Sequence, residues 1–154
     1  MKLFAALCLL VSPLLMRAQE AMSIPAAKEK GIIVEHLDSV YKSALHSEPA
    51  KAVFKTDAEQ QKLIDAYTNF LIDLGEFLRK NNFKWEEPTR GWNRIYMKPD
   101  GTVDYFLYSF KTLPPAKEAE FNRLLNLYLK DHKFGISAPV KFAQCSPVTY
   151  PKSE

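Results

Sequence analysis

The sequence predicts an α+β fold: an N-terminal helical hairpin packed on a small antiparallel sheet, with β-β-α-β order in the C-terminal half. Three observations carry this. A capped helical stripe fills residues 56–80. Apolar and aromatic residues flank the turn Pro99-Asp100-Gly101. A second strong helical stripe at 116–132 is followed by the strand VKFAQC at 140–145.

Taken in order, the chain starts with Lys2, an apolar run at 3–16 (LFAALCLLVSPLLM) and then Arg17-Ala18-Gln19, the layout of an export signal. The run is shorter than the roughly 20 residues that span a bilayer. The expectation is therefore a signal peptide at 1–18 ahead of one α+β domain at 19–154, periplasmic or extracellular, without a stable membrane span once the signal is cleaved. Whether the segment is cleaved or kept as an anchor is open at this stage. Removing 1–18 takes two of the 21 basic groups and none of the 18 acidic ones, which leaves a balance of +1. Such a chain offers no field to attract nucleic acid. Cys145 is the one cysteine left after that removal, so stability has to come from packing rather than from an internal disulfide.

The spacing of Ile33, Leu37, Val40, Tyr41 and Ala44 predicts a first helix over 26–45. Thr56 and Glu59 form a capping box for the second, whose stripe runs through Leu63, Tyr67, Phe70, Leu74 and Leu78. Asn81-Asn82 is its stop, because asparagine tolerates the left-handed conformation. A short connection at 46–55 makes the two helices a hairpin. Strands at 92–98 and 103–110 follow, joined by a turn in which proline presets φ and Gly101 takes a positive φ. Leu113-Pro114-Pro115 stops the sheet, a third helix runs over 116–132, and Gly135 separates it from the last strand.

Pairing Lys98 with Thr102 places Met97, Ile95 and Asn93 opposite Val103, Tyr105 and Leu107 on the face that reads as core. The other face then collects Tyr96 opposite Asp104, Arg94 opposite Phe106, and Trp92 opposite Tyr108. Each covered ring buries about 150 to 250 Å², so a surface this aromatic needs a cover. The helical hairpin is one candidate, with the third helix on the opposite side. A partner is the other: a peptide or protein, a stacked glycan, or a second copy of the chain. The candidate binding residues are thus Trp92, Arg94, Tyr96, Asp104, Phe106 and Tyr108.

The order of strand, PDG turn, strand, helix, glycine and strand over about 91–150 resembles the C-terminal domain of TonB-type energy transducers. The stretches RIYMKPDGTVDYFLYSF, FNRLLNLYLKDHKF and APVKFAQCSPVTY carry the likeness. The resemblance implies binding by strand addition at a sheet edge rather than catalysis. The chain lacks the proline-rich charged spacer of those proteins.

Catalytic readings are thinner. Cys145 in FAQCSPV invites a nucleophile with His36 or His132 as base, against a structural thiol on the last strand. Glu86 and Glu87 stand next to each other before Pro88, where a solvated loop accounts for them. The histidines have no metal-binding spacing and the five single glycines form no phosphate loop, so neither metal nor cofactor is expected. The favoured reading is an exported, non-catalytic binding or adaptor domain. A small extracytoplasmic hydrolase or thiol enzyme using Cys145 or Glu86 and Glu87 is the alternative.

Overall fold

The computed structural model describes residues 19–153. The export segment expected at 1–18 lies outside the described residues. The elements run β1 (Glu20–Ser23), α1 (Ile24–Glu29), α2 (Val34–Val40), β2 (Lys42–Ser43), α3 (Asp57–Lys80), β3 (Thr89–Met97), β4 (Val103–Phe110), α4 (Pro115–Leu129) and β5 (Phe142–Tyr150), with a 3₁₀ turn at Pro49–Lys51. The class is α+β, and the C-terminal half keeps its β-β-α-β order. The sheet is larger than expected: five strands in the order β1-β4-β3-β5-β2, antiparallel in the middle and parallel at both margins.

α3 forms where the capping box places it. Thr56 Oγ1 accepts from the Glu59 amide at 3.3 Å and the Glu59 carboxylate accepts from the Thr56 amide at 3.0 Å. Those backbone donors hold the Glu59 carboxyl below its ordinary range. The helix ends at Asn81-Asn82, with Asn82 at φ 61°. Leu63, Phe70, Leu74 and Leu78 then meet Phe121, Leu124, Leu125 and Tyr128 of α4 over the Ile95, Met97, Phe106 and Phe142 face of the sheet. Both long helices lie on this one face.

The first helix departs from expectation. The span expected at 26–45 is broken: α1 ends before Gly31 at φ 74°, Ile33 is extended, and of the stripe only Leu37 and Val40 are helical, in α2. Ile33 and Val40 end up exposed, at 61% and 45%. The two pieces do not pair with α3. They cover the opposite face, where Ala27, Leu37 and Tyr41 pack on Tyr96, Tyr105 and Leu107.

The hairpin register also differs. The turn forms as expected, with the Lys98 amide bonded to the Thr102 carbonyl at 2.8 Å, and Met97 faces Val103. One residue further on a bulge intervenes: Tyr96 pairs with Tyr105, leaving Asp104 as the extra residue. Every later pair shifts by one, so Trp92 faces Ser109 rather than Tyr108, and Arg94 faces Leu107 rather than Phe106. Phe106 and Tyr108 therefore turn into the core under α3 and α4.

The last strand runs on through Pro147 to Tyr150, five residues past its expected end. The Lys141 and Ala143 carbonyls accept from the Lys42 and Ala44 amides, so alternation turns Cys145, Pro147 and Thr149 toward the same outer edge. β2 covers that edge only at Phe142 and Ala143. Pro147 can sit there because the missing N–H faces no strand. Among the described residues no helix is long and apolar enough to cross a membrane.

Candidate functional site

Three cross-strand pairs of β3 and β5 lie on the α1/α2 side of the sheet, running outward from the margin of α2: Arg94 with Cys145, Trp92 with Pro147, and Arg90 with Thr149. All but Arg94 are exposed, and Trp92 shows 42% of its surface. Alternation along both strands makes the strip, since residues two apart share a face. The core ends here because α1 and α2 are too short, at six and seven residues, to extend over it.

The strip is tied to the buried part of the same face by a polar chain. Arg94 Nε donates to Cys145 Sγ at 3.0 Å and Trp92 Nε1 donates to the same sulfur at 3.3 Å. Arg94 Nη1 stands 3.3 Å from Asp38 Oδ2, and the Tyr96 hydroxyl donates to Asp38 Oδ1 at 2.9 Å. Partial burial works against the Arg94 charge, but the sulfur and the Asp38 carboxylate outweigh it and hold its pKa up. Burial, then the bond to Asp38, pushes the Tyr96 phenol well above its usual range. A cavity of about 240 Å³ opens between Asp38, Tyr41, Ser43, Arg94, Ala143 and Cys145.

The expected binding residues fall into separate groups. Trp92 and Arg94 lie on the open strip. Tyr96 is on the same face but fully covered, at 0% exposure. Asp104 sits at the bulge, 7% exposed, where it accepts from the Tyr41 hydroxyl at 2.6 Å and faces Lys98 Nζ at 3.3 Å. Its place is structural. Phe106 and Tyr108, at 0% and 1%, are core residues. Arg90, Pro147 and Thr149 were missed because they lie outside the expected strands at 92–98 and 140–145; carrying alternation back along β3 and forward through Pro147 on β5 would have reached them.

Cys145 lies on the last strand as expected, but its thiol is exposed rather than buried. Its two hydrogen-bonding neighbours are donors, and its cavity is lined by no histidine. Glu86 and Glu87 line a different cavity of about 550 Å³, where Glu86 faces Lys117 at 3.7 Å. Among the described residues no three His, Cys, Asp or Glu side chains converge as a metal site would require. No family model, curated protein or solved structure matches the chain.

Proposed function

We propose that this chain is an exported, non-catalytic binding module that holds a peptide or protein partner on the open strip of β3 and β5. The exposed Trp92 indole, paired across the strands with Pro147 and hydrogen-bonded to Cys145 Sγ, is the observation that carries the reading. Aromatic rings and arginines are the side chains on which binding energy concentrates in protein interfaces. Arg90 supplies an exposed cation two residues from the indole, suited to a carboxylate or carbonyl of the partner. A TonB-like build in residues 91–150 belongs to this proposal, but binding by face is favoured over strand addition. Along the free edge of β5, Pro147 offers no donor, which interrupts any added ladder.

A thiol reading is kept for one reason, the two donors aimed at Cys145 Sγ. A pull-down from the native compartment separates the two. The Trp92→Ala, Arg94→Ala double variant is expected to lose the partner while Cys145→Ser retains it. Retention by the double variant with loss in Cys145→Ser would reverse the assignment.

A further inference from the structure

We propose that the groove between α3 and the C-terminal half of β5, on the opposite face from Trp92, binds an aliphatic carboxylate. The groove encloses about 480 Å³, within the range of small-molecule sites. Its walls come from Leu71 and Ile72 of α3 and from Val148 of β5, and Ile72 is 55% exposed. Gly75 also lines it. A glycine inside a helix costs about 1 kcal/mol relative to alanine. The fold does not require it, since a Cβ at Gly75 would meet nothing within 4 Å. Its effect is to leave the groove open against the helix backbone.

Charge fixes the second half of the ligand. Glu76 is already met by Lys80 at 3.7 Å. Arg79 and Lys152, which line the same groove, make no ion pair among the described residues. An apolar trough with two cations and a neutralised acid suits an alkyl chain ending in a carboxylate. The edge chemistry disfavours an extended peptide here. Pro147 and Pro151 on either side of Thr149 carry no N–H, so an incoming strand finds one donor where a ladder needs several.

Decanoate is the probe and Trp85, which lines the groove, is the reporter. The full chain carrying Trp92→Phe leaves Trp85 as its sole indole. Decanoate is expected to shift Trp85 emission saturably below its micelle concentration, and decanol to bind at least about tenfold more weakly. Arg79→Gln with Lys152→Gln should weaken decanoate by about the same factor and leave decanol unchanged. Gly75→Phe should abolish both responses with its circular dichroism intact. An absent Trp85 response, equal affinities for acid and alcohol, or decanoate binding untouched by the double Gln variant each overturns the proposal. The surface double variant keeps the test decisive if Gly75→Phe does not fold. Because Trp92 is absent from this background, failure here leaves the strip on the other face standing.

Discussion

Asn93 shows how one polar residue organises a core of rings. It is fully buried, and its Nδ2 lies 3.2 Å from the Tyr150 hydroxyl and 3.4 Å from that of Tyr67, which in turn accepts from Ser146 at 2.6 Å. Removing one partner from such a set leaves the others desolvated, at about 1–3 kcal/mol. Asn93→Leu is thus expected to lose about that much in urea unfolding, and adding Tyr150→Phe to recover part of it; strictly additive losses would show that the two groups do not interact. Cys145 yields a second outcome at this scale. Its sulfur is exposed and 3.3 Å from Trp92 Nε1, so iodoacetamide should label the native protein without denaturant and change Trp92 emission in proportion. A thiol that resists until the chain is unfolded would remove Trp92, Arg94 and Cys145 from a common surface.

At the scale of elements, turn and cap positions make the sharpest predictions. Gly101 at φ 79° carries a would-be Cβ only 2.2 Å from the Phe134 carbonyl oxygen, because the segment after α4 bonds back onto the turn. Gly101→Ala therefore strains the backbone and displaces that segment, whereas Gly75→Ala relieves helix entropy in open space and should add about 0.5–1 kcal/mol. Thr56→Ala should cost about 1 kcal/mol through the lost cap. Thermal melts of the three variants should rank Gly75→Ala above wild type and both others below it. These positions are the ones legible in sequence, since capping box, left-handed stop and PDG turn are chemistry confined to a few neighbours. β4 was legible to its last residue for the same reason, lying between a turn and a double proline. The bulge at Asp104 was not: the carboxylate there accepts from the Tyr41 hydroxyl, a partner far along the chain of which sequence spacing carries no trace. One slipped residue exchanged Phe106 and Tyr108 for Tyr105 and Leu107 between the faces, and two of the six candidate site residues went into the core with them. The first helix misled in the opposite way: of its apolar period only Leu37 and Val40 fall in a helix, the seven-residue α2, while Ile33 and Tyr41 are its extended flanks.

Across the whole molecule, the sheet carries a ring-rich core on each side, and those rings set how the protein meets alkali. Tyr96, Tyr108, Tyr128 and Tyr150 are all at or below 5% exposed, and burial pushes each phenol well above its ordinary pKa near 10. In the unfolded chain the same side chains titrate near 10. Between that value and the raised native values the folded state holds more protons than the unfolded one, so stability is present in full below pH 10 and declines as pH rises through the window. At pH 11 each phenol that stays protonated only in the folded state contributes roughly 1 kcal/mol to that loss. The urea midpoint should therefore fall steeply between pH 9 and 11, and Tyr128→Phe should flatten the slope by about one proton. Absorbance at 295 nm on the folded chain at pH 11 should show the ionisation of at most three of its seven tyrosines, the remainder following on unfolding. Full ionisation of all seven with native circular dichroism intact would mean that water reaches those rings, and that the two helical layers do not close over the sheet.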